Sequence, residues 1–249
     1  QRLEEFKKTF IIPKGKLDNV FKAAIQEGRE RTRKYIPLPE NENFVVEYVP
    51  NKAWSGYNWY KGGSFSLIQM NTDLPIYIDR AVDLACHEGY PGHHVYNSLL
   101  EKHLVRDKKW FEFSCYALFS PQSLIAEGTA NFGIEMALPS NERVDFESKV
   151  LFPIAGMPPE MAEKYYQIHA LGAKLGYAGN EAARGYLDEK MNKEAAVDWL
   201  VQFGLFARER AEQRIRFIEK YRSYVINYNL GQDMVKNYIE KNGGTADQP

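Results

Sequence analysis

Apolar residues recur at helical spacing over most of the chain, and this pattern predicts a mainly helical fold. The stretch from Leu17 to Ile25 predicts a helix that ends before Pro37. Apolar residues between positions 78 and 85 predict a second helix that begins near Pro75. From residue 158 onward the pattern is helical nearly throughout. The predicted helices there cover residues 158–177, 180–191, 193–203, 206–228 and 231–241.

Residues 43–71 have a different pattern, in which β-branched and aromatic residues form short runs. Two strands are predicted, Asn43 to Val49 and Ser64 to Asn71, and the residues between them, rich in glycine and tryptophan, are interpreted as turns. The expected fold class is therefore α+β, predominantly α-helical with a small antiparallel β-sheet before the helix at Pro75. We expect the second strand either to lie at a sheet edge, where it could bind the backbone of a peptide, or to be purely structural.

Composition is typical of a globular domain with a sizeable core, because 44% of the 249 residues are hydrophobic. Lys and Arg number 32 against 33 Asp and Glu, and this balance gives no indication of a nucleic-acid partner. No apolar run is long enough for a membrane span, and no signal peptide is present in the chain as given. Two cysteines are too few for a disulfide scaffold. Compartment and oligomeric state stay open.

Residues 87–94 read HEGYPGHH and hold three of the chain's five histidines. Neutral imidazole is a common zinc ligand, and Glu88 follows the first histidine directly, where it could take a proton from a metal-activated water. His87 and His93 are six positions apart, which on a regular helix means a turn of about 240° and a rise of about 9 Å. Neither His93 nor His94 can then share an ion with His87. We infer a broken helix at residues 89–92, caused by Pro91 and its flanking glycines; a turn with solvated histidines is the alternative.

A third ligand is expected from the helical stretch around residues 123–137. Glu127 lies there among small residues that let a carboxylate approach a metal. Asn131 is one turn further along the same face and could accept the second N–H of a ligating imidazole. An exposed helix carboxylate is the alternative interpretation of Glu127, and Glu135 is the second choice of ligand.

Three motifs in this order resemble a known family. They are HExxPGHH at residues 87–94, AEGxA at residues 126–130 and YxxxYxxGQ at residues 224–232, and together they resemble the bacterial domain-of-unknown-function family 885 over residues 40–240. The resemblance implies a zincin-like metallopeptidase. It implies His87, His93 and Glu127 as metal ligands and Glu88 as general base, and it favours His93 over His94.

Tyr221, Tyr224 and Tyr228 form one stripe at helical spacing, for which a structural role is the default. A phenol in a water-poor cleft can also donate to the oxyanion formed during hydrolysis. Tyr228 is the choice for that role, with Tyr224 as second choice. Arg222 is a weaker candidate for binding a substrate carboxylate.

The expected function is that of a Zn²⁺-dependent hydrolase, most simply a metallopeptidase acting on a peptide or small amide substrate. Hydrolysis of another amide or ester, and a non-catalytic module with a structural metal, are the alternatives. We expect one catalytic domain over residues 1–249. It would comprise an N-terminal helical segment (1–42), the sheet (43–71), the metal-site helices (72–139) and a helical lobe (140–249). Because family members are usually longer, the chain could be the C-terminal part of a larger protein.

Overall fold

The structure, a computed structural model, describes residues 2–244 and is mainly helical, with one three-stranded sheet in that range. The predicted α+β class is confirmed at this coarse level. The α-helices are α1 (Arg2–Lys8), α2 (Leu17–Arg33), α3 (Asp79–Leu84), α4 (His93–Leu100), α5 (Pro121–Ala137), α6 (Ser140–Phe146), α7 (Phe152–Ala155), α8 (Ala162–Ala173), α9 (Ala178–Leu187), α10 (Lys193–Phe203), α11 (Arg208–Tyr221) and α12 (Leu230–Lys241).

Several helices are extended or joined by turns of different pitch. π-Helical turns follow α3 (Ala85–Gly89), α4 (Glu101–Asp107) and α6 (Glu147–Leu151), and 3₁₀ turns cover Lys14–Lys16, Phe111–Ser114, Pro159–Met161 and Arg222–Asn227. The prediction of one continuous helix over residues 206–228 is therefore wrong. Its α-helical part ends at Tyr221, because Arg222 has a φ of 49°, outside the right-handed helical region.

The sheet contains β1 (Asn43–Val49), β2 (Gly56–Gly62) and β3 (Phe65–Asn71), in the order β1–β3–β2. β1 runs parallel to β3, and β2 runs antiparallel to it. The predicted antiparallel sheet was wrong in two respects, since the sheet is mixed and the segment interpreted as turns is a strand. The glycines that suggested turns lie at the ends of β2, and its aromatic residues fill the interior of the strand.

The position of β3 also corrects the expected edge strand. β3 is central and has both sides paired, so it cannot accept a further strand. β2 lies at the edge instead, and the side-chain amide of Asn58 on β2 donates to the backbone oxygen of Glu88 over 2.7 Å. The strand next to the histidine motif is therefore β2.

Two apolar clusters form the interior. The first packs α2, β3 and α3 against residues 138–165, and the second packs α9, α10 and α11 around Trp54 and residues 221–225. Cys86, next to His87, belongs to the first cluster, and Tyr224 belongs to the second. The elements around the candidate site therefore pack into both clusters. None of the described helices is long and apolar enough to cross a membrane.

Candidate metal centre

The helix that carries the histidine motif ends where the sequence predicts. α3 and its π-helical turn stop at Gly89, and α4 begins at His93. The backbone N–H of Gly92 donates to the Cys86 oxygen over 2.9 Å, and a Cβ on Gly92 would lie 1.9 Å from the oxygen of His87. Only glycine fits so close to the preceding turn. The break brings the two imidazoles together, with ring centroids 4.7 Å apart.

The carboxylate of Glu127, on α5, meets both imidazoles. Its Oε2 lies 3.1 Å from Nε2 of His87, and its Oε1 lies 3.4 Å from Nε2 of His93. Two ligand atoms at the usual 2.0–2.1 Å from a tetrahedral zinc ion would lie about 3.3 Å from each other. His87 and Glu127 are buried and His93 is half-buried. The three side chains form a group whose atoms could hold a metal ion.

Asn131 fixes the proton on the His87 ring. Its side-chain N–H₂ donates to the backbone oxygen of Tyr228 over 2.6 Å, so its Oδ1 is the atom that faces Nδ1 of His87 at 2.8 Å. Because this oxygen can only accept, Nδ1 carries the hydrogen, and Nε2 of the neutral ring has only a lone pair. The expected contact between Asn131 and a histidine of the motif is thus present.

The consequence is that two acceptors face each other. Nε2 of His87 presents a lone pair to Oε2 of Glu127, a buried oxygen without a hydrogen-bond donor among the described residues. A cation has to lie between them, either a proton or a metal ion. In the metal-free protein burial opposes a charge on His87, but Glu127, Glu88 and Asn131 outweigh it and raise its pKa to about 9. The donor set of two imidazoles and one carboxylate fits zinc.

Glu88 is a buried acid without a structural partner. Its side chain is 4% exposed, and its carboxylate has no hydrogen bond or ion pair with any described residue. Burial raises the pKa of this carboxyl above its ordinary value, although the imidazoles of His87 and His93 oppose the shift. A buried acid with a raised pKa and no structural partner is suited to accepting and releasing a proton.

The two tyrosines considered for the oxyanion have different environments. The Tyr224 hydroxyl donates to Oε1 of Glu127 over 2.5 Å and so helps to hold this carboxylate. The Tyr228 hydroxyl has no hydrogen bond to a described residue, and its ring stacks on His87 with centroids 6.1 Å apart. Burial, then the charges of Glu127 and Glu88, raise the pKa of Tyr228 well above its ordinary value. Its phenol is therefore neutral, near both carboxylates and free to donate.

His93, and not His94, lies beside His87 and Glu127. His94 is fully buried, its Nδ1 lies 2.8 Å from the Ser66 hydroxyl, and its Nε2 lies 3.2 Å from Glu42 Oε2. Arg29 and the Tyr90 hydroxyl also donate to Glu42. We call the side chains of Arg29, Glu42, Ser66, Tyr90 and His94 the motif-turn cluster. The second-choice ligand Glu135 is likewise excluded from the group, because it accepts hydrogen bonds from Gln232 and Lys236 on α12.

Several neighbours of the site were not found from the sequence. Tyr57 on β2 is half-buried, Tyr116 in the loop before α5 is exposed, and the charge of Glu127 raises the pKa of both phenols. Withdrawal of the Tyr116 hydroxyl from water is the larger cause there and raises its pKa to about 12. Glu42 anchors the motif turn from a position 45 residues before His87. None of these residues carries a local motif, because only the fold brings them near the histidines.

Comparisons of the chain with family models, with curated proteins and with solved structures found no match.

Proposed function

We propose that this protein is a metal-dependent hydrolase, and specifically a zinc metallopeptidase. The observation that carries the proposal is the pair of facing acceptors, the His87 lone pair and the orphaned Glu127 oxygen, with a second imidazole beside them. Two imidazoles and one carboxylate leave a fourth tetrahedral position open, as catalytic zinc sites require. The motif resemblance to family 885 points the same way.

His87, His93 and Glu127 would hold the ion, with Asn131 and Tyr224 orienting two of them. A bound zinc ion would supply Lewis acidity and bring the pKa of a water molecule towards about 7. Glu88 takes a proton from the attacking water and passes it to the leaving amine. The free hydroxyl of Tyr228 donates a hydrogen bond to the oxyanion that develops at the scissile carbonyl. A peptide could align along the edge strand β2, whose Asn58 binds the Glu88 backbone.

Two facts favour this function over a module with a structural metal. Structural zinc sites are closed by a fourth protein ligand, and the described residues offer only three. A structural site also gives no reason to bury Glu88 without a partner, because an unpaired buried carboxylate is destabilising.

The test is elemental analysis of the purified protein beside His87→Ala, His93→Ala and Glu127→Ala, together with hydrolysis of a peptide library. We expect one equivalent of metal in the wild type and loss of metal in all three variants. His103→Ala is the matched control, because this exposed histidine pairs with Asp107 and lies outside the group of possible metal ligands. Stoichiometric metal in the variants would contradict the ligand set. A metal-loaded protein that leaves every peptide intact would contradict the peptidase assignment.

A further inference from the structure

Arg214, on α11, is a half-buried cation that no carboxylate within residues 2–244 neutralises. Its guanidinium has no hydrogen bond and no ion pair with any described residue, and its Cζ lies 5.0 Å over the ring of Phe217. Arg143 shows the usual arrangement for such a group. It is bound by Asp83 at 2.9 Å and by Glu147 at 2.8 Å. A guanidinium has five N–H donors, and withdrawing it from water without an acceptor is unfavourable.

Arg214 lies on the same side of the molecule as the candidate metal centre. The Phe217 ring is 5.9 Å from the Tyr228 ring, and the Tyr228 ring is 6.1 Å from the imidazole of His87. The Tyr228 phenol and the Arg214 guanidinium are close enough to affect each other's pKa, and burial lowers the pKa of this arginine. Two aromatic rings, those of Phe217 and Tyr228, therefore connect the guanidinium to the first histidine by successive contacts.

The guanidinium is also open to a ligand. Its nitrogens have no hydrogen-bond partner among the described residues and are not fully sealed, so solvent or a small ligand can reach them. Arg222, the candidate suggested by the sequence for binding a carboxylate, is instead exposed after the end of α11. Arg214, by contrast, lies near Tyr228.

We propose that Arg214 binds the terminal carboxylate of the substrate, so that the protein removes residues from the free C-terminal end of short peptides. Guanidinium and carboxylate pair through two parallel hydrogen bonds, which fixes the orientation of a bound carboxylate. The exopeptidase part of this inference rests on the proposed function. The carboxylate site itself does not require activity.

Binding is tested first, by saturation-transfer NMR with a mixture of N-acetyl amino acids and with the matching N-acetyl amino-acid amides. We expect the wild type to bind the acids and not the amides. Arg214→Met should bind the acids about 10- to 100-fold more weakly, and Arg214→Lys should recover part of the loss. Arg216→Met, an exposed arginine on the same helix, is the matched control and should leave binding unchanged. The acid–amide comparison in the wild type needs no variant.

Equal binding of acids and amides, no binding of either, or unchanged binding by Arg214→Met would overturn the carboxylate site. Cleavage is tested with N-acetyl tripeptides of mixed sequence, prepared as free acids and as C-terminal amides and analysed by mass spectrometry. We expect the metal-loaded wild type to shorten the acids and spare the amides. Arg214-dependent binding without any cleavage would overturn the hydrolase and leave the carboxylate site standing. Cleavage of both the acids and the amides, with binding that does not depend on Arg214, would overturn the carboxylate site and leave the hydrolase standing.

Discussion

Two clusters of imidazole and carboxylate lie side by side in this protein and have almost the same geometry. In the motif-turn cluster, His94 has an oxygen 2.8 Å from Nδ1 and a glutamate oxygen 3.2 Å from Nε2. In the candidate metal centre, His87 has an oxygen 2.8 Å from Nδ1 and a glutamate oxygen 3.1 Å from Nε2. The two sites differ in which ring nitrogen of the histidine carries the hydrogen. Ser66 can donate to Nδ1 of His94, which leaves an Nε2–H for Glu42, whereas Asn131 can only accept from His87.

The difference teaches which buried polar group serves the fold and which is available for chemistry. Every contact of His94 is complementary, so the motif-turn cluster stabilises the chain by itself. The candidate metal centre has a lone pair opposite an orphaned oxygen and an acid, Glu88, with no partner. Adjacent histidines in the sequence, His93 and His94, therefore belong to clusters with different expected roles.

The largest effect should come from replacing the adjacent histidines, His93 and His94, one at a time. His93→Ala should lose the metal and all hydrolysis while the fold remains. His94→Ala should keep one equivalent of metal but lower the free energy of unfolding by roughly 3 kcal/mol, because it removes a buried imidazole, leaves the Ser66 hydroxyl without that partner and takes one donor from Glu42. Elemental analysis and urea denaturation measure the two quantities. If His94→Ala loses the metal in a folded protein, the comparison is broken.

The next effect concerns the acids. Glu88→Gln should retain the metal and lower kcat about 1,000-fold, because the amide cannot accept the proton from water. Glu135→Gln is the matched control, since this exposed glutamate binds Gln232 and Lys236 on α12, and the activity of this variant should be unchanged. Steady-state kinetics and metal content are measured together. An active Glu88→Gln protein would remove Glu88 from the mechanism.

A smaller effect is expected from the two tyrosines that border the clusters. Tyr228→Phe should lower kcat about 100-fold with little change in KM, because its free hydroxyl donates to the developing oxyanion. Tyr90→Phe removes a hydroxyl already bound to Glu42 and should lower the free energy of unfolding by about 1 kcal/mol with kcat unchanged. Equal kcat values for Tyr228→Phe and the wild type would contradict the assignment.

A further test concerns the groups that orient the two imidazoles, Asn131 at His87 and Ser66 at His94. Asn131→Ala should weaken zinc binding about 10-fold, because it frees the His87 ring and the Tyr228 backbone oxygen. Ser66→Ala should lower stability and leave zinc affinity unchanged. Competition with a chromophoric chelator measures the affinity. A weaker zinc site in Ser66→Ala would show that the two clusters are coupled.

The smallest effect is expected from the protonation of His87 and His94 in the metal-free protein. The pKa of His87 is raised from 6.5 to about 9, so its stabilising charge is complete below pH 6.5 and is lost as the pH rises through about 9. Burial lowers the pKa of His94, so the folded state loses stability as the pH falls below 6.5. Imidazole NMR at neutral pH should find His87 protonated and His94 neutral. Zinc should abolish the His87 titration, and equal titration of both rings would contradict the distinction.

The sequence predicts the local parts of this arrangement well. Pro91 and the flanking glycines are strong signals for a broken helix, and the structure ends the helix at Gly89 and begins α4 at His93. The same sequence reasoning selected the carboxylate and the amide that meet the imidazoles. Their role as ligand and orienting residue stays a prediction.

The parts that depend on tertiary contacts were not predictable. The glycines at the ends of β2 predict turns, although the segment between them is a strand. Strand order, which decides which strand lies at the edge of the sheet, has no local signal in the sequence. His93 and His94 could not be separated by spacing, because Glu42, which occupies His94, comes from the segment before β1. Arg214 carries no motif, and its lack of a partner is visible only in the fold.

The crossing of α5 and α12 has a practical consequence. A Cβ on Gly128 would lie 2.4 Å from the backbone oxygen of Gly231, so the two backbones touch with no side chain between them. The backbone of α12 thus packs directly against α5 at the residue after Glu127, so truncation of α12 should disturb the position of that carboxylate. Protein engineers who shorten or fuse this chain should preserve the segment through Lys241 and attach any tag beyond it.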